Sequence, residues 1–118
     1  MEDTSILRSV KDYCNISEDE DSFDNELMLH INTAFVALSH LGVGPDIPYR
    51  ITGEENEWTE FDIASDNLPM VKSYVYLKTR LSFDSPSNST LASSMKELLA
   101  EYEWRLNLME DHSYDSSG

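Results

Sequence analysis

Few residues in this chain are placed to do covalent chemistry. His30, His40 and His112 are not four apart on any helix, so they cannot pair as metal ligands in the way that His-Glu-x-x-His does. Ser39 and His40 are adjacent, which on a helix aims them in different directions and separates a would-be nucleophile from its base. Cys14 is alone, with no His or helix start placed to activate it, and reads as a small buried apolar residue. A solitary cysteine allows neither an internal disulfide nor a cysteine metal cluster, and it suits a reducing cytoplasmic origin. The run Ser17-Glu-Asp-Glu-Asp-Ser-Phe-Asp24 resembles a calcium loop only in its acidity. Counted from Asp19, such a loop needs Gly in its sixth place and Glu in its twelfth, where this chain has Asp24 and His30. Its carboxylates are better read as partners for the exposed amides and positive dipole end of the helix that follows. Glycine-rich phosphate loops and Gly-x-Ser-x-Gly elbows are missing from the sequence, and neither an enzyme nor a cofactor is expected.

Charge narrows the choice further. The chain has 118 residues, 23 acidic and 8 basic side chains, and a formal net charge of −15. Free-standing attachment to nucleic acid needs clustered Lys and Arg, and here the basic residues are scattered. A 40% share of hydrophobic residues is enough for one core, so this is a single folding domain and not an acidic disordered tail. Met1-Glu-Asp lacks the basic start of a signal peptide, and no apolar run approaches the roughly 18 to 20 residues that cross a membrane.

The elements that must position any functional residue are helices. The central one runs from about Ser22 to Gly42. At about 100° per residue, Phe23, Leu27, Ile31, Ala34, Phe35, Leu38 and Leu41 share one side. Leu29, Val36 and His40 form a narrower stripe on the opposite side. A helix apolar on two sides needs two neighbours: two helices of its own chain, or one of its own and one of the next subunit. Before it, Asp3 or Thr4 caps a short helix to about Asn15, with Ile6, Val10, Tyr13 and Cys14 inward and Arg8, Lys11 and Asp12 toward water. After it, Gly42 supplies a left-handed terminus and Gly44-Pro45 prevents resumption.

From Val43 to about Asp66 helical period is lost, yet large apolar groups persist. Tyr49-Arg50-Ile51-Thr52 reads as a short extended arm turned back by Gly53. Trp58 and Phe61, three apart, either staple this loop to the core through one helical turn or form a tip that meets a partner. Asp66 or Asn67 then caps a third helix, with Pro69 in its first turn and a buried stripe of Met70, Val71, Tyr74, Leu77 and Leu81. Tyr76 and Phe83 lie on its other side with Arg80 between them, a spacing that lets the guanidinium stack on a ring. After the turn at Asp84-Ser-Pro86, one of Ser87, Asn88 or Ser89 caps a fourth helix to about Met109. Its core face is Leu91, Met95, Leu98, Leu99, Tyr102, Leu106 and Met109. Trp104 and Leu108 share its outer face, as an interface or as a seat for the long loop. The expected architecture is all-α: a small four-helix bundle over 1–109, a long partly extended loop at 43–66 between helices 2 and 3, and a flexible tail at 110–118.

The order of parts is specific: a short helix, an acidic turn, a long helix ending in Leu41-Gly-Val-Gly44, and a loop carrying Trp58 and Phe61. Then come Val71-Lys-Ser-Tyr-Val-Tyr-Leu-Lys-Thr-Arg-Leu-Ser-Phe-Asp-Ser-Pro86 and Glu101-Tyr-Glu-Trp-Arg-Leu-Asn107. Over nearly its whole length this resembles the head-tail connector (adaptor) proteins of long-tailed bacteriophages. The resemblance implies a subunit made in the bacterial host cytoplasm and placed in the virion neck. About twelve copies would form a ring under the portal protein. That ring extends the DNA channel and docks a downstream stopper or tail-completion protein, with double-stranded DNA only as passing cargo and no membrane. Leu29, Val36, His40, Tyr76, Arg80, Trp104 and Leu108 are then candidate subunit contacts. Tyr49, Arg50, Ile51, Trp58 and Phe61 are candidate partner contacts. Met109, His112 and Tyr114 would dock on the portal, the segment such proteins commonly use, with avidity around the ring making up for few anchors. Acidity suits a tunnel wall that repels the DNA backbone, and serves solubility if it faces outward. Two other classes fit the composition: an acidic nucleic-acid mimic that inhibits a DNA-binding enzyme, and a monomeric helical regulator.

Overall fold

Helix α1, Ile6–Tyr13, is held at both ends by side chains and backbone that its sequence supplies. The Ser5 hydroxyl accepts from the Arg8 N–H at 3.3 Å and donates to the Glu54 carbonyl at 2.8 Å, so one cap fixes both the helix and the distant loop. Past its other end Asn15 takes a left-handed φ of 61°, which asparagine tolerates better than most residues. The computed structural model describes residues 5–44, 47–61 and 67–117, with side chains as far as Leu108. Asp3, Thr4, Pro45 and Asp66, named above as caps, breaker or loop bound, lie outside that set.

Helix α2, Asp24–His40, buries Leu27, Ile31, Ala34, Phe35 and Leu38, the face expected from periodicity. Gly42, at φ 85°, ends it: its N–H bonds the Ser39 carbonyl at 3.0 Å, and the Val43 N–H bonds the Leu38 carbonyl at 2.9 Å. These two bonds make a Schellman end, completed by the burial of Val43 near Leu38. A single 3-10 turn, Trp58–Glu60, interrupts the loop. Helix α3, Leu68–Phe83, and helix α4, Ser89–Ser117, follow, and Asn88 is the residue that caps α4, accepting from the Leu91 N–H at 2.9 Å. Strands are absent among the described residues, and the all-α bundle stands as expected.

Four expectations change. The helix enclosed on two sides is α3, packed between α2 and α4, and not α2. It therefore buries Val75 and Thr79 besides the expected Val71, Tyr74 and Leu77, while Met70 and Leu81 are only partly covered. Lys11 does not face water. Its side chain is fully buried, its ammonium 2.9 Å from Asp24 Oδ1 and 3.3 Å from the Glu18 carbonyl. Asp24 Oδ1 accepts no hydrogen bond among the described residues, so charge holds that pair while the ammonium donates to the Glu18 carbonyl. Among its described side chains, the core face of α4 is buried only at Leu106, with Met95, Leu99 and Tyr102 half-covered, and Leu91 and Leu98 exposed. Only α3 packs broadly against α4, and one helix cannot cover an apolar arc that wide. Finally, α4 continues as helix to Ser117. No Gly or Pro intervenes before Gly118, and a helix needs no apolar period to extend.

Candidate interaction surfaces

The arm at 48–52 is positioned by an aromatic cluster that the loop brings to α2. Phe35 meets Tyr49 edge-on at 5.1 Å between ring centres and Phe61 at 5.0 Å, and Trp58 lies 6.3 Å away. Trp58 donates its indole N–H to Ser9 Oγ at 3.3 Å and stands edge-on to Tyr76 at 5.9 Å, which in turn stacks on Tyr13 at 5.2 Å. The Lys72 ammonium sits 5.6 Å from the centre of the Trp58 ring. Ile51, Trp58 and Phe61 are thus buried by their own chain. They act as the staple, not as a partner-facing tip, because the rings fill the space beside Phe35. Tyr49 is partly buried and Arg50 exposed.

Hydrogen bonds finish the arm. Asn32 meets one residue twice: its Oδ1 accepts from the Ile51 N–H at 2.8 Å, and its Nδ2 donates to the Ile51 carbonyl at 3.1 Å. Asn56 Oδ1 accepts from the Thr52 N–H at 2.7 Å and closes the turn at Gly53. The Tyr49 hydroxyl donates to Glu60 at 3.1 Å, and burial together with that carboxylate pushes the phenol up to about 12. Glu60 in return is held below the usual carboxylate range, chiefly by the Glu57 N–H and by Asn56.

Between this arm and the outer side of α2 lies a groove of about 680 Å³. One wall is Asn25, Met28, Leu29, Asn32, Thr33 and Val36; the other is residues 48–52. Leu29, 63% exposed, and Val36 are on it, as the second stripe of α2 predicts, and His40 is exposed beyond it. Asn25, Asn32 and Thr33 were not singled out from sequence. Their only signal is register: Asn25, Leu29, Asn32 and Val36 recur at i, i+4, i+7 and i+11.

On α4, Trp104, 65% exposed, and Leu108 point away from the core, while Asn107, between them in sequence, donates to the Leu41 carbonyl at 3.3 Å. The long loop does not cover them; it is stapled to α1, α2 and α3 instead. Leu91 and Leu98, which periodicity places on the core face, add an exposed apolar flank on the same helix. Tyr76 and Arg80 do not join these surfaces. Tyr76 is engaged with Tyr13 and Trp58, and the Arg80 guanidinium donates from Nε to the Asp84 carbonyl at 3.1 Å, capping α3 and not stacking on a ring. Met109, His112 and Tyr114 lie on the last turns of α4, beyond the described side chains. No group of three or more His, Cys, Asp or Glu among the described residues could hold a metal ion. Among them, too, no helix is long and apolar enough to cross a membrane.

What remains is a small helical subunit with two separate unpartnered apolar surfaces. The family model described as phage connector protein matches residues 6–113. The chain belongs to that family. The match runs from the first residue of α1 into the last turns of α4, so it takes in every element described above. Neither curated proteins nor solved structures gave a match. A phage connector is a structural component of the particle's neck, and both apolar surfaces of this connector belong to the part the family covers.

Proposed function

We propose that this connector assembles as a closed ring of about twelve copies beneath the portal, extends the DNA channel and presents a landing surface for the next neck protein. The observation that carries the ring is the placement of its two uncovered apolar surfaces. Leu29 and Val36 lie on the side of α2 turned away from the core, and Trp104 and Leu108 on the side of α4 turned away from it, with α3 between the two helices. Two different patches on separate helices are what a head-to-tail interface requires, and such an interface closes into a ring when its rotation divides the circle. The portal contact falls to the last turns of α4, with Met109, His112 and Tyr114, where repeated weak contacts add around the ring. A net charge of −15 suits a wall past which DNA slides without adhering.

Mass measurement with and without portal, together with imaging of intact necks, tests this reading. The chain should appear with portal as an annulus in line with the channel. A chain that stays unbound to portal, with no annular density in the neck, overturns it. A monomer in the absence of portal does not, since portal can template the ring. The nucleic-acid-mimic reading calls for one continuous carboxylate face. The acids here are divided among the turn before α2, the loop at 54–60 and the length of α4.

A further inference from the structure

We infer that the groove between α2 and the arm seats the outward stripe of α4 from the next copy, with Arg50 meeting Glu97. This names the contact within the ring proposed above and rests on that reading.

Three features point to a second copy as the occupant. The first is register. Asn25, Leu29, Asn32 and Val36 line the α2 wall at i, i+4, i+7 and i+11, and Glu97, Glu101, Trp104 and Leu108 repeat the same intervals on α4. Both rows span eleven residues, so at 1.5 Å per residue each is about 16 Å long. Rows of equal length on two rods can lie along each other without leaving either apolar pair uncovered, which is how an amphipathic helix enters a groove. The second is charge. In a chain with 23 acidic residues, the sole charged residue lining the groove is a cation, Arg50. It is exposed, between Tyr49, fixed edge-on to Phe35, and Ile51, fixed by Asn32. The α4 stripe opens with two acids. Glu101 already accepts from Arg105 at 2.9 Å, which leaves Glu97, one turn earlier, to meet Arg50. The third is position: within one copy Trp104 and Leu108 stay exposed while the groove stays open, so neither covers the other in a single copy.

The test uses the full chain assembled on portal. Arg50 lies at the level of residues 32–35 of α2, so a Glu97 that meets it sets the two helices antiparallel. Thr33 and Ala100, both exposed, then flank the contact at one level, and a Thr33→Cys, Ala100→Cys chain treated with a short bis-maleimide should give a ladder of covalent multimers. Cys14 is buried, and the unsubstituted chain serves as its control. Separately, Arg50→Glu and Glu97→Arg should each lower assembly about tenfold, and the two together should restore it, because the reversed pair attracts again. Both positions are exposed, so each variant should melt as the parent does; if one does not, the cross-link still decides. Rings that form yet give no ladder, or a doubly reversed chain no better than either single variant, overturn this seating and leave the ring intact. If the unsubstituted chain forms no ring, the ring reading itself fails, and this inference with it.

Discussion

Lys11 shows how much a single side chain can decide. Its ammonium is withdrawn from solvent at the point where α1, the acidic turn and α2 meet, touching the Glu18 carbonyl and Asp24. Removing one member of such a pair leaves the other short of its counter-charge in a region water barely reaches. Asp24 retains 20% of its side-chain exposure, so the loss is moderated: Lys11→Met should lower unfolding free energy by about 2 kcal/mol, measurable by denaturant titration. No local pattern announces this. On an eight-residue helix a lysine beside Asp12 looks like any solvated charge, and its partner lies thirteen residues on, across a turn. The same holds for Arg80, where a ring at helical spacing suggested stacking but the nearer carbonyl of Asp84 took the guanidinium. Tyr49 offers a second test. Its phenol is raised from 10.0 to about 12, so it favours the fold fully below pH 10, and that contribution is lost as pH rises from there through about 12. Melting temperature should fall across this window, and Tyr49→Phe should flatten part of the fall. Tyr74, buried with its hydroxyl 2.7 Å from Glu103 and likewise raised, adds to the same fall.

Among the elements, helices were legible and their neighbours were not. Periodicity placed α1, α2 and α3 to within about two residues, because each has an apolar stripe that must be covered. Which stripe finds which helix depends on the turns between them. The loop after α2 brings Trp58 and Phe61 back onto Phe35, and this lets α3, not α2, take the enclosed place. That return hinges on Gly44. Its φ is 89°, and a Cβ built there would stand 2.8 Å from the Phe61 ring. Gly44→Ala should therefore cost about 2–3 kcal/mol through backbone strain and displacement of the ring. Tyr49 fluorescence or amide exchange at 48–52 should show the arm loosening before α2 does. For α4, an unbroken row of leucines suggested a buried face along its whole length. Coverage proved to depend on α3 alone, so Leu91 and Leu98 stay uncovered.

In the molecule as a whole, two apolar surfaces survive folding, and they answer to different measurements. Trp104 makes no contact that the fold depends on, so Trp104→Ala should leave the cooperative melt of the free chain within about 0.5 kcal/mol of the parent. Attachment to portal should weaken at least about tenfold, as expected when an interface tryptophan is truncated. A lost melt would assign the indole to the core instead. The candidate contacts drawn from sequence divide along the same line. Leu29, Val36, Trp104 and Leu108 were visible because an apolar residue opposite a core stripe has no partner at home. Arg50 was visible as part of the arm. The polar wall of Asn25, Asn32 and Thr33 was not, since asparagine and threonine on a helix flank carry no signal until the segment they bind is known.

Asn32 deserves a last thought for what it does to distance. One carboxamide closes both main-chain polar groups of Ile51, so the spacing between rod and arm is set by the length of a single side chain. Glutamine, one methylene longer with the same amide, would re-gauge the opening while leaving Leu29, Val36 and Arg50 chemically untouched. The connector thus has a set-screw: its fit to whatever lies between those walls can be tuned at a position that touches neither grease nor charge.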